Sequence, residues 1–166
     1  MPVIIRKSRN GLGVFAGKNL KKSDVIIMGR FKVINVRDLL TSKYKSEDNW
    51  SRYLQVGRKS YMRPGKGVEF LNHSCSPNGG FVIEGTKASL IAITDIKKGN
   101  EITFDYSTTM DEDDWELNCN CGSPNCRHVI RDFKYLSKNL QKKYINLGIV
   151  PKYAIISAGT VRYKRK

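Results

Sequence analysis

Residues 95–107 read DIKKGNEITFDYS, a basic, glycine-containing turn that feeds an apolar and β-branched run. The first half, Asp95-Ile96-Lys97-Lys98-Gly99-Asn100, has the residues that interrupt regular structure. The second, Ile102-Thr103-Phe104-Asp105-Tyr106, has those that fill strands. Residues 19–26, NLKKSDVI, repeat the shape, with a strand starting at Val25. Working outward, Val3-Ile4-Ile5, Gly13-Val14-Phe15-Ala16, residues 25–28, Phe81-Val82-Ile83 and residues 88–93 are further short apolar runs between polar turns. The pattern predicts a mainly β domain with small α content. Residues 38–57 are expected to hold a short helix or an irregular insertion. Residues 108–128 show little periodicity, which predicts a loop organised by something other than apolar packing.

Beyond Arg131 the period changes. Phe133, Leu136, Leu140, Tyr144 and Leu147 recur at three- and four-residue spacing and predict one apolar helical face, stopped by Gly148 with Pro151 beyond. Lys134, Lys138, Lys142 and Lys143 fall on its outer side. The whole chain has 166 residues, enough for one core. Its net charge is +15, from 30 Lys and Arg against 15 Asp and Glu. That bias suits either an acidic partner or solvated lysine faces. The basic residues are scattered (Lys18, Lys21, Lys22, Lys43, Lys45, Arg58, Lys59, Arg63, Lys66 and the tail 162–166), so only weak nucleic-acid association is expected. No run resembles a signal-peptide core or a membrane span, so no membrane role is expected. The expected location is cytoplasmic, or nuclear in a eukaryote or in a host. The acidic run Asp111-Glu112-Asp113-Asp114, with Glu116, reads as a solvated loop offsetting its basic surroundings, or as a lip for basic substrates.

Cys119-Asn120-Cys121-Gly122-Ser123-Pro124-Asn125-Cys126 sets three thiols on one Gly- and Pro-containing turn, a spacing that favours a metal. The remaining cysteine is Cys75. A four-thiolate zinc site of Cys75, Cys119, Cys121 and Cys126 uses every cysteine, with His73 or His128 as alternatives for the fourth ligand. Such a metal would pin the tail against the segment around Asn72 and make its folding metal-dependent.

Four pieces now read together: NGLGVFA (residues 10–16), FLNHSCSPN (70–78), GNEITFDYS (99–107) and CNCGSPNCR (119–127). In this order the chain resembles the SET family of protein lysine methyltransferases with a cysteine-containing post-SET segment. The resemblance implies the SET β-clip fold, with pseudoknot-like C-terminal threading, a zinc-stapled post-SET loop and a C-terminal helix. It divides the chain into a SET domain (1–110), a post-SET zinc segment (111–128) and a C-terminal helix with a basic tail (129–166), with no pre-SET module.

The same resemblance implies S-adenosylmethionine as cofactor. Asn10, Gly11, Leu12 and Gly13 match its backbone loop, Asn72 and His73 its contacting pair, and Tyr53 a further tyrosine near it. Tyr106 matches the active-site tyrosine, which also meets the cofactor. Phe104, two residues earlier on the same strand face, matches a position that affects how many methyl groups are added; Phe there leaves room beyond the first. The implied substrate is an accessible lysine of a basic protein, histone-like or ribosomal. Glu69 departs from the family, which commonly has Arg before FLNHSC. Two rival readings are a non-catalytic zinc-stapled module for nucleic acid and a SET-like pseudoenzyme that only binds peptide.

Overall fold

The computed structural model describes residues 3–39, 53–63, 65 and 67–159. Lys43, Lys45, Lys66, the tail 162–166 and most of the expected insertion at 38–57 lie outside the described residues. The chain opens on a hairpin of β1 (Val3–Ser8) and β2 (Gly11–Ala16), then β3 (Val25–Arg30), β4 (Val33–Asn35) and the short helix α1 (Val36–Leu39). Next come β5 (Leu54–Gly57), β6 (Ser60–Met62), a 3-10 turn at Val68–Phe70 and the two-residue β7 (Asn72–His73). The hairpin β8 (Gly79–Glu84) and β9 (Lys87–Ala92) leads to β10 (Glu101–Phe104) and a 3-10 turn at Tyr106–Thr108. A ribbon of β11 (Glu116–Asn118) and β12 (Val129–Arg131) follows, then a 3-10 turn at Phe133–Tyr135, α2 (Lys138–Asn146) and α3 (Lys152–Ser157).

The strands form several small sheets rather than one large one, ordered β1-β2-β10-β7, β3-β9-β8, β4-β6-β5 and β11-β12. The sequence explains the inward faces. Ala88, Leu90 and Ala92 alternate into the core from β9, and Ile102 and Phe104 do so from β10. They meet Val14, Leu20, Met62 and Phe81 in the principal core. The two look-alike turns face each other. Leu20 and Ile96 exchange backbone hydrogen bonds at 2.8 Å each, Lys98 N donates to Asn19 Oδ1, and Lys22 N donates to Asp95 Oδ1. The late strand β10 runs between β2, antiparallel to it, and β7, parallel to it.

Three expectations change in detail. The strand expected over residues 102–106 stops at Phe104, because Asp105 caps the next turn by accepting Ser107 N at 3.1 Å. Phe104 and Tyr106 therefore do not share a strand face. The helical face from Phe133 to Leu147 is broken at Leu136, which takes an extended backbone, and Ser137 then caps α2 by accepting Leu140 N. The buried Gln141 amide spans the break by donating to the carbonyls of Phe133, Lys134 and Leu136. Gly148 stops α2 as expected, at φ 70, with Ile149 N bonding Tyr144 O and Gly148 N bonding Ile145 O. Residues 108–128 are not all loop, since β11 lies within them. Phe133, Tyr144, Ile149 and Ala154 form a second core that reaches Ile93. Among the described residues, no helix is long and apolar enough to cross a membrane.

Candidate active site and cysteine centre

β7 sets Asn72 opposite Thr103 and His73 opposite Phe104. Two residues make so short a parallel pair stable only with help. Ser74 N donates to Phe104 O, and the Asn78 side chain clamps the β10 backbone by donating to Glu101 O and accepting from Thr103 N. Asn78, at the end of the SCSPN run, thus holds β10 in place.

The Asn72 amide is fixed by both its N–H bonds. Nδ2 donates to Leu12 O at 3.0 Å and to Glu101 Oε1 at 2.7 Å, and the same Oε1 accepts the Ser8 hydroxyl at 2.7 Å. The carbonyl Oδ1 remains as the amide's acceptor. Gly13 lies under this joint, where a Cβ would overlap Glu101 Oε1 and Ser8 Cβ. Its missing side chain makes room for a carboxylate of the protein itself. Gly11 is a left-handed turn residue at φ 96.

Two cavities flank this frame. One, of about 160 Å³, lies between Asn10, Asn72, His73 and Tyr106 on one side and Leu117, Cys119 and Cys121 on the other. The second, of about 230 Å³, is mostly aromatic and apolar, with Tyr53, Leu71, Phe81, Phe104 and Trp115 among its walls and Glu69 and Glu112 as its carboxylates. Tyr106 and Leu117 line both. The Tyr106 hydroxyl donates to Leu71 O at 2.7 Å, which leaves its oxygen lone pairs as acceptors. Burial pushes the phenol up to about 12, so it is neutral at physiological pH. Its ring lies 4.8 Å from Phe104 and 5.3 Å from His73, centroid to centroid.

Asp105, fully buried, ties this region to the C-terminal third. Arg127 donates to it through both terminal nitrogens at 2.7 Å, and the Tyr144 hydroxyl donates to Oδ2 at 3.0 Å. A two-pronged pair of this kind satisfies a buried carboxylate that would otherwise be expensive to hold. The Tyr144 phenol is pushed upward by burial and then by Asp105, and it stays neutral.

The sulfurs cluster at the rim of the smaller cavity. Cys75 Sγ is 3.9 Å from Cys119 Sγ, and Cys126 Sγ is 3.7 Å from Cys119 Sγ. Thiolates about 2.3 Å from a tetrahedral zinc lie about 3.8 Å apart, so these spacings fit that ion. The ligand atoms of His73, Cys75, Cys119 and Cys121 fall within 4.8 Å of one another, which puts His73 against Cys126 for the fourth place. Hydrogen bonding separates them. His73 Nδ1 accepts Tyr106 N at 3.1 Å, and burial drives the ring down to about 4, so it is neutral with its proton on Nε2. Nε2 faces Cys75 Sγ at 3.2 Å and can donate to it, which leaves no lone pair for a metal. His128 is exposed at φ 63 and outside the group. Burial pushes Cys119 up to about 12, so a cation here would displace a proton.

Of the residues singled out from the sequence, Asn10, Asn72, His73 and Tyr106 come together on one cavity. Tyr53 and Phe104 line the other, to which Asn72 and His73 do not contribute. Gly11, Leu12 and Gly13 line neither; Leu12 contributes its carbonyl to Asn72. The acidic run is only partly solvated, since the Asp111 side chain is 5% exposed with Arg58 at 3.6 Å. Asp113 pairs with Lys134, and Glu116 with Arg131. Sequence reading missed Ser8, Glu101, Arg127 and Tyr144, whose importance lies in partners distant along the chain. It also missed Leu117, whose one signal is an apolar residue in a polar stretch.

Residues 11–107 match the SET domain family, more than half of the chain. The chain is 29% identical over 137 residues to the Variant-silencing SET domain-containing protein of Plasmodium falciparum, and 28% identical over 138 residues to human Histone-lysine N-methyltransferase 2D. It is 32% identical over 126 residues to the H3 lysine-4 specific histone-lysine N-methyltransferase of Schizosaccharomyces pombe. These matches cover 74%, 75% and 70% of the chain, which spans 5%, 2% and 14% of the relatives' own lengths.

Proposed function

The chain belongs to the SET domain family, and from that premise we propose that it is a protein lysine N-methyltransferase using S-adenosylmethionine. One observation supports this most: two cavities of different character share Tyr106 and Leu117 as common walls. The smaller offers a fixed amide carbonyl and polar loops, suited to a polar cofactor. The larger, aromatic one suits an aliphatic side chain. We assign Asn10, Asn72, His73 and Tyr106 to the cofactor, and Phe104 and Tyr106 to the lysine. Residues 1–110 act as the SET domain, 111–128 as the post-SET zinc segment and 129–166 as the C-terminal part. The cofactor, when bound, supplies an electrophilic methyl on a sulfonium.

The protein's own part is alignment and desolvation. A lysine entering the apolar cavity has its pKa lowered by burial, and the neutral amine is the nucleophile. Tyr106 presents neutral oxygen lone pairs, and Leu71 O fixes their direction. Such acceptors can orient the amine and stabilise partial positive charge on the transferring carbon. No strong general base is required, since water can carry the proton away. Phe104, lacking a hydroxyl, leaves room for an amine already methylated. Cys75, Cys119, Cys121 and Cys126 would hold a zinc ion, with His73 as a donor to Cys75. The Leu117 to Cys121 segment then forms a wall of the cofactor cavity.

A basic protein, with histones as the class suggested by the relatives' names, is the proposed substrate, and the compartment follows it, cytoplasmic or nuclear. A nucleic-acid module gives no reason for cavities meeting at a tyrosine, and methyl transfer itself separates an enzyme from a pseudoenzyme of the same fold. The test is incubation with labelled cofactor and a panel of basic proteins. Wild type should label one class; Tyr106→Phe should cut labelling by at least about tenfold. Mass spectrometry should find di- or trimethyl product, narrowed by Phe104→Tyr. Absence of labelling across the panel, with cofactor bound, would sink the enzymatic reading.

A further inference from the structure

The larger cavity holds a carboxylate oxygen that no hydrogen-bond donor answers among the described residues. Glu69 stands on the turn at Val68–Phe70, two residues before Leu71, the acceptor for Tyr106. It lines the cavity with Phe104 and Tyr106, and its buried Oε2 has no hydrogen-bond partner among the described residues. The other carboxylate on this wall, Glu112, is engaged by the Tyr61 hydroxyl. Asp111 and Asp132 also carry buried oxygens without hydrogen-bond partners, but both lie off the wall, and Asp111 has Arg58 beside it. A buried oxygen without a donor is costly. One placed on a cavity wall is satisfied when the occupant brings the donor.

We propose that Glu69 is a specificity-determining residue that pairs with a Lys or Arg flanking the target lysine in the substrate. The inference rests on the larger cavity being the lysine channel. The target's own ammonium is the poorer partner, because an adjacent carboxylate stabilises its charged, non-nucleophilic form. A flanking cation meets no such conflict, and an Arg fork can give two parallel bonds. The chain's net charge of +15 works in the same direction. A basic peptide is repelled over most of such a surface and is drawn to places where carboxylates stand unpaired.

Binding provides the readout. Short synthetic peptides with one lysine in a Gly/Ala background carry Arg or Gln at one flanking position at a time. Their dissociation constants are measured by fluorescence anisotropy on the full chain. Wild type should prefer Arg at one position by about tenfold, the scale of a charge-assisted hydrogen bond. Glu69→Gln should reduce that preference to about twofold while Gln peptides bind as before. Glu69→Lys should transfer the preference to a peptide with Glu at that position. Equal weakening of every peptide by Glu69→Gln would make the residue structural and overturn the proposal, as would a wild type indifferent to flanking charge. Glu69-dependent loss on replacing the target lysine itself by norleucine, with no flanking preference, would reassign the carboxylate to the target and also overturn it. Methyl transfer is scored separately on the same peptides. A Glu69-dependent flanking preference without transfer would sink the methyltransferase reading and leave the pairing intact; transfer without it does the reverse.

Discussion

Glu101 is the residue on which the smaller cavity's geometry turns. A single carboxylate oxygen takes both the Ser8 hydroxyl and the Asn72 amide, and Gly13 is the gap that admits it. Removing the acceptor leaves an Asn72 N–H without its partner and frees the amide to turn, which wastes the acceptor it presents. Glu101→Ala is expected to raise KM for S-adenosylmethionine by about tenfold, in line with the cost of one lost charged hydrogen bond, with a much smaller change in kcat. Gly13→Ala, which collides with the same oxygen, should give the same split. Isothermal titration with the cofactor, beside steady-state kinetics, checks both. Equal losses in kcat for every variant would mean general damage instead. Neither role was legible in the sequence. Gly13 reads as one glycine of a loop near a cofactor, and only a contact spanning 93 residues shows that Glu101 and Ser8 share it.

At the scale of elements, the cysteine loop is held twice. Its sulfurs suit a metal, and Arg127, next to Cys126, is locked to Asp105 independently of any ion. Metal removal should therefore loosen residues 119–126 while residues 127–131 stay docked, as read by hydrogen exchange, and methyl transfer should fall because Leu117 to Cys121 wall the cofactor cavity. In Arg127→Gln, metal removal should also expose α2. Full activity in verified metal-free protein would break the link. The acidic loop makes a different prediction. Asp132 is buried and accepts the backbone N–H groups of Glu112 and Asp113 at 3.0 and 2.7 Å. Burial, with Asp111 and Glu112 nearby, raises its pKa from 3.8 to about 6. A carboxyl raised on folding binds more protons in the native state. Its contribution is thus full below the unfolded value and is lost as pH rises through about 6. His73, lowered by burial to about 4, pulls the other way over part of that range, so the difference between two proteins is the clean measurement. Asp132→Asn keeps an acceptor for the two N–H groups without titrating. Its urea midpoint relative to wild type should rise from pH 4 to pH 7; a constant offset would contradict this.

Over the whole molecule, the legible parts are those written locally. β2, β3, β8, β9 and β10 are apolar runs between turn residues, and their existence follows from pattern alone. β7 has two residues and β11 three exposed ones, so neither carries a period. They exist because β10 and β12 offer backbone to pair with. Likewise the four motifs marked Asn72, His73, Tyr106 and the cysteines, whereas the meeting of two cavities at Tyr106 depends on β10 running between strands drawn from distant parts of the chain. The Asp105 pair has a consequence in time. Asp105 leaves the ribosome ahead of both its partners: Arg127 is 22 residues behind it and Tyr144 is 39 behind. At roughly 5–20 residues per second the second partner arrives about 2–8 s later. Arg127, the counterion, comes first, about 1–4 s after Asp105, and until it does the nascent chain carries a carboxylate destined for the interior without that partner, beside the tyrosine of the proposed site. The protein can thus complete that site only after Tyr144 has been synthesised.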